Sequence, residues 1–158
     1  MLIEQSRYAI HDLSRLQASR EGEYYRLNMP LELGIDVGCK LFGKGPQRQK
    51  QCLILGEQRF RYRAAVSDLS GSDIAAHNGS PETLATEVRN WLNTQVRLQA
   101  PGPSWVWTAF LDFMAENDAT LAKRGFSRRD IETLPIGELI GCIDSWVAAR
   151  KPAATRRL

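Results

Sequence analysis

Read from its amino end, the chain passes from short apolar runs to longer stretches with helical periodicity. Tyr8 to Leu13 has an extended character, with the helix-compatible fragment LIEQS before it and the polar stretch SRLQASREGEYYRLN after it. This predicts a strand followed by a long loop. Pro30 suits the first turn of a helix, where its missing N–H costs nothing, and Leu31, Ile35, Cys39 and Phe42 then recur on one helical face. A helix over about residues 30–42 follows, with that face turned inward. Gly34 and Gly38 on the adjoining stripe would each weaken it by roughly 1 kcal/mol, which predicts that another backbone passes close by. The continuous run Cys52-Leu53-Ile54-Leu55 has the character of a buried parallel strand. Together these segments predict a βαβ unit.

Beyond it, residues 58–69 suit a short helix and Asp73 to Ala76 a short extended piece or an irregular loop. Ser80-Pro81-Glu82 is a helix start, with a capping serine, a proline at the first helical position and an acid in the first turn. Leu84, Val88, Trp91 and Leu92 lie on one face of that helix. After the break at Ala100-Pro101-Gly102-Pro103, Trp105 to about Arg124 predicts a long helix with Val106, Phe110, Phe113 and Met114 inward. Ser127 opens a short capped turn. Pro135 opens a last helix carrying Ile136, Ile140, Ile143 and Val147 on one stripe. The fold class is therefore α/β, a small parallel sheet with a helical C-terminal third. Residues 1–99 form the α/β core, 100–150 a helical extension of the same domain, and 151–158 a basic tail. A doubly wound sheet usually has about four to six strands, so the sheet reads as lacking an N-terminal strand and helix.

Composition adds exclusions. The 158 residues fit one domain, 43% of them hydrophobic and 25% charged, as in ordinary globular proteins. No apolar run approaches the roughly 18–20 residues of a membrane span, and the N-terminus lacks a secretory pattern, so a cytoplasmic location is expected. The net charge of +3 comes from Lys151, Arg156 and Arg157 in the tail. Elsewhere Lys and Arg balance Asp and Glu, which leaves no broad basic face for nucleic acid or a membrane surface. The local exception is residues 44–63, where Lys44, Arg48, Lys50, Arg59, Arg61 and Arg63 face a single acid, Glu57. Cys39, Cys52 and Cys142 are odd in number and widely spaced, and they read as small buried hydrophobes rather than a metal or disulfide framework. Neither a metal nor a cofactor is expected.

In open α/β sheets ligands bind at the carboxyl ends of the strands. Asp12 ends the first strand, Glu32 falls in the first turn of the following helix, and Asn28 lies on the loop between them. An ionised carboxylate near a helix N-terminus suits a nucleophile or the stabilisation of an oxocarbenium-like sugar. Such acids serve more commonly as caps. His11 adjoins Asp12 but points to the opposite strand face, as a packing residue. His77, beside Asp73 and Asn78, suits a general acid or, more ordinarily, a solvated loop histidine. Arg59, Arg61 and Arg63 alternate with Phe60 and Tyr62, a pattern that binds phosphate or stacks on a base when it is not simply a solvated face.

The segments SRYAIHDLS, NMPLELGIDVGCKLFG and CLILG resemble the core of the nucleoside 2-deoxyribosyltransferase-like and TIR-like nucleotide-processing proteins. The resemblance spans about residues 3–56. SDLSG and the Asp73 to His77 stretch also resemble a group of small bacterial proteins that share that core. The resemblance implies a flavodoxin-like or TIR-like layout and action on an N-glycosidic bond of a nucleoside or nucleotide. It implies Glu32 of Glu-Leu-Gly as the catalytic carboxylate, Asp12 as its orienter or a ribose contact, and Asn28 as a ribose contact. Arg61 and His77 join Asn28 as substrate-binding candidates. A competing expectation is a nucleotide-sensing module that binds without cutting, supported by the basic and aromatic group from Arg59 to Arg63, or a purely structural subunit. An edge strand that exposes Ile10 and Leu13 predicts a homo-oligomer, joined through residues 1–13 or the C-terminal helices.

Overall fold

The computed structural model describes residues 2–15, 20–21, 27–58 and 74–150. It falls into two compact units, Met1–Pro103 and Ser104–Leu158. The first is an α/β layer structure. A one-turn helix α1 (Leu2–Gln5) leads into β1 (Tyr8–Asp12), helix α2 (Asn28–Phe42), a 3-10 turn (Gly45–Gln49), β2 (Gln51–Gly56), β3 (Ile74–Ala76) and helix α3 (Pro81–Gln95). The strands lie in the order β1-β2-β3, and both pairings are parallel. Tyr8 pairs with Gln51 and Asp12 with Leu55, while Ile54 pairs with Ile74. The expected βαβ unit is present, and the extended piece before His77 is a third strand. The proposed helix at 58–69 lies almost wholly outside the described residues.

Strand alternation sends Ala9, His11 and Leu13 to one face of β1 and Tyr8, Ile10 and Asp12 to the other. Helix α2 covers the first face, where Leu13, Leu33 and Ile54 form the core with Met29, Val37, Cys52 and Ile74 against it. Trp91 of α3 meets Tyr8 edge-on at 6.0 Å on the opposite side. The core face of α2 differs from the one its apolar spacing predicts. Leu31 is 64% exposed and Phe42 85%, while Leu33 and Asp36 are buried. The reason is electrostatic. Asp36 lies 2.8 Å from the Lys50 ammonium and 2.9 Å from His11 Nε2, and all three side chains are buried. Lys50 also donates to the carbonyls of Ile3 and Ser6, the latter at 2.5 Å, and so ties α1 to the sheet. Rotating α2 to bury Leu31 and Phe42 would strand these charges.

Other departures are local. Helix α2 begins at Asn28, with Leu31 N donating to Leu27 O at 3.1 Å. Pro30 remains in the first turn, where N–H groups have no intrahelical acceptor. Asn28 is therefore helical rather than in a loop, and Glu32 falls in the second turn. A Cβ built on Gly34 or Gly38 meets nothing within 4 Å, so no described backbone passes close to them. Gly43 is the tight one: a Cβ there would sit 2.2 Å from Cys39 O. All three cysteines are half-buried rather than buried. Ile10 is exposed as expected of an edge strand, but Leu13 is in the core.

The helix starts follow their capping residues. Ser80 Oγ accepts from Thr83 N at 3.2 Å, with Pro81 in the first helical turn. After α3, Arg89 donates to the carbonyls of Ala100 and Pro101 at 2.6 and 2.5 Å, which fixes the segment leaving it.

The second unit is a helical hairpin of α4 (Pro103–Lys123), the short α5 (Arg128–Glu132) and α6 (Ile136–Arg150). Gly125, at φ 89°, turns the chain after α4, and Ser127 and Asp130 form a reciprocal capping box on α5. Helices α4 and α6 meet through Phe113 and Trp146, edge to face at 5.8 Å. Glu116 accepts from Trp146 Nε1 at 3.2 Å and from Arg150, whose guanidinium stacks 3.8 Å from the Trp146 ring centroid. Of the four α4 residues expected inward, only Phe113 is fully buried. Phe110 and Met114 are exposed, and Leu121 takes the second buried place. Among the described residues no helix is long and apolar enough to cross a membrane.

Removing one partner of a buried ion pair leaves the other charge uncompensated, at a cost of about 3–5 kcal/mol. Lys50→Met is expected to destabilise the protein by that order in urea unfolding. The double variant Lys50→Met with Asp36→Leu should recover most of the loss, whereas Leu31→Ser should change stability by less than about 0.5 kcal/mol. Equal losses for Lys50→Met and Leu31→Ser would show that the charge does not set the face of α2.

Candidate functional site

The carboxyl ends of β1 and β3 flank the end of β2, and each ladder runs one residue further: Leu13 N donates to Leu55 O at 2.8 Å and His77 N to Gly56 O at 3.0 Å. Asp12, Ser14 and His77 come together there. Asp12 Oδ1 accepts from Ser14 N at 2.9 Å and from Ser14 Oγ at 2.5 Å. Ser14 Oγ lies 2.7 Å from His77 Nε2, which is itself 3.6 Å from Asp12 Oδ1. The sequence separation between Ser14 and His77 is 63 residues, bridged by parallel pairing of both outer strands to β2.

The turn after β3 fixes the histidine tautomer. Asn78 and Gly79 both have positive φ, 52° and 71°, and Ser80 N closes the turn on His77 O at 2.9 Å. This conformation, which glycine adopts without steric cost, aims Gly79 N–H at His77 Nδ1, 3.2 Å away. Nδ1 therefore acts as an acceptor, and neutral His77 carries its proton on Nε2. The chain of donors then runs from His77 to Ser14 to Asp12. A serine-hydrolase triad places the imidazole between the carboxylate and the hydroxyl, where it removes the hydroxyl proton. Here the hydroxyl is in the middle and gives its proton to a carboxylate, a weak base, so the order does not activate Ser14 as a nucleophile. It presents Asp12 instead: the side chain is 45% exposed, and Oδ2 makes no hydrogen bond to a described residue. Such an oxygen accepts hydrogen bonds from ligand hydroxyls.

The remaining candidates are distributed as follows. Asp12 and His77, expected in separate roles, share one cluster. His77 is 8% exposed and so is not a solvated loop residue. Glu32 is half-buried in the second turn of α2 and Asn28 is exposed at its start; the side chain of neither makes a hydrogen bond to a described residue. Arg61 lies outside the described residues, as do Arg59 and Arg63. Ser14 was overlooked as a site residue although it stands in the Asp-Leu-Ser motif, because a serine two residues beyond an aspartate reads as an ordinary turn.

A second polar group lies beneath α2. His11, Asp36 and Cys52 each bring a ligating atom within 4.8 Å of the others, and His11 Nδ1 has no hydrogen-bond partner among the described residues. The set does not suit a metal ion. The Lys50 ammonium already supplies the cation beside Asp36, and burial, followed by the Asp36 carboxylate, pushes the Cys52 thiol up, toward its protonated and non-ligating form.

No protein-family model, curated protein or solved structure matches the chain.

Two measurements check this geometry. A long-range nitrogen–proton correlation spectrum is expected to show neutral His77 protonated on Nε2; protonation on Nδ1 would reverse the donor chain. Alkylation of Cys52 should keep accelerating above the pH at which an ordinary thiol levels off. Levelling in the usual thiol range would show that burial and Asp36 do not hold its proton.

Proposed function

We propose that the protein binds a nucleoside or nucleotide at the carboxyl edge of its sheet, with the Asp12 carboxylate receiving ribose hydroxyls. The observation that carries this reading is the convergence of Asp12, Ser14 and His77 over the end of β2. Open α/β sheets bind ligands at that edge, and a carboxylate held through one oxygen offers the other to a vicinal diol. Ser14 and His77 orient the carboxylate, and the proton order gives them no part in covalent chemistry.

A second reading adds turnover: cleavage or transfer at the N-glycosidic bond, with Glu32 as the carboxylate at the anomeric carbon. Its support is the Glu-Leu-Gly motif on the helix that follows the Asp-Leu-Ser strand. Asn28 then serves as a ribose contact and Arg61 as a phosphate contact.

Calorimetric titration with adenosine, a deoxynucleoside and NAD separates the readings, followed by chromatography for released base. Binding is expected for the ribose ligands, and Asp12→Ala should weaken it by about tenfold or more, the order of one lost charge-assisted hydrogen bond. Base release that Glu32→Gln abolishes establishes the second reading, and binding without release leaves the first. Absence of binding by all three ligands at millimolar concentration would remove both.

A further inference from the structure

The helical hairpin leaves a row of apolar side chains in solvent. On α6, Ile136 is 72% exposed, Ile140 52%, Ile143 39% and Val147 40%, and on α4 Phe110, Leu111 and Met114 are each close to half exposed. These are not the residues that join the two helices. Trp146, Arg150, Phe113 and Glu116 make that contact. At about 100° per residue, the exposed α4 residues are centred more than a third of a turn from the face of Phe113 and Glu116, and the α6 stripe about a fifth of a turn from the face of Trp146 and Arg150. Because the helices are antiparallel, both rotations carry the apolar residues to the same side of the hairpin.

The spacing of the α6 stripe identifies its occupant. Ile136, Ile140, Ile143 and Val147 are separated by four, three and four residues, the spacing of alternating core positions in a coiled coil. The same intervals result when the helix is read backwards. A two-fold axis between residues 141 and 142 therefore sets Ile136 opposite Val147 of a second copy and Ile140 opposite Ile143. No charged residue stands on the stripe. The exposed surface of these four residues with Phe110, Leu111 and Met114 is on the order of 700 Å² per copy, close to the roughly 800 Å² that each partner buries in a stable interface.

We propose that the protein is a two-fold dimer in which α6 pairs antiparallel with α6 of a second copy, and that Phe110, Leu111 and Met114 of α4 flank this seam in a four-helix arrangement. The pairing is isologous, as two-fold symmetry requires. It closes on itself, so it ends at a dimer and does not propagate into fibres.

Sedimentation equilibrium on the full chain tests the proposal. The wild-type protein is expected at twice the 17.8 kDa chain mass. Ile140→Lys and Ile143→Glu, each with helical circular dichroism unchanged, are expected to weaken self-association by more than about tenfold, because each sets a charge against an isoleucine of the partner. Mixing the two variants should restore a dimer, since Lys at 140 of one copy then faces Glu at 143 of the other. A wild-type monomer at every concentration would overturn the proposal, whatever else covers the stripe. So would a dimer indifferent to both substitutions, or a mixture that stays monomeric. Should either variant fail to fold, Ile136→Lys, at the most exposed of the four positions, probes the same seam.

Discussion

The α/β unit is organised around an ammonium group that has almost no access to water. Lys50 is 2% exposed, and its Nζ has Asp36 and the carbonyls of Ile3 and Ser6 as neighbours. Desolvating a charge costs several kcal/mol unless pairing and hydrogen bonds offset it, so these partners must be in place together. One side chain thereby fixes the end of α1, the rotation of α2 and the start of β2, and through Asp36 it also positions His11 on β1. The hydrophobic effect has no direction. It would accept either apolar stripe of α2 in the core, and the buried charge selects between them.

This explains which parts of the fold were legible in the sequence. Strands, helix starts and the parallel βαβ unit follow from short-range rules: a continuous apolar run for β2, and Ser80-Pro81 or Ser127 for the helix starts. The inward face of α2 was not legible, because Asp36 and Lys50 read individually as solvated charges and only their pairing makes burial tolerable. The failure on α4 has a different origin. Phe110 and Met114 carry the periodicity of a core face, and periodicity cannot distinguish a face buried within the chain from one left outside it.

The candidate site was legible in half. Asp12 and His77 stood out as chemistry-bearing residues near predicted strand ends, but nothing local says that strands 62 residues apart flank a common neighbour. The direction of proton donation was still less accessible. It depends on one backbone N–H, that of Gly79, aimed at Nδ1 by a turn with two consecutive positive φ angles. That single amide separates a carboxylate oriented by a hydroxyl from a nucleophile with its base.

The strand order also bears on how the chain reaches its structure. Among the described residues both strand pairings are parallel, so neither starts from a hairpin. Tyr8 must find Gln51 across the whole of α2, and Lys50 must reach Ile3 across 47 residues. Loop-closure entropy is spent before such contacts return any energy, which slows their formation. The hairpin of α4 and α6 closes over a short connection through α5. Contact order therefore sets the two units different tasks: the hairpin needs only local closure, whereas the sheet needs long-range closure together with the enclosure of the Lys50 charge, whose desolvation is offset only once Asp36 and the two carbonyls are in place.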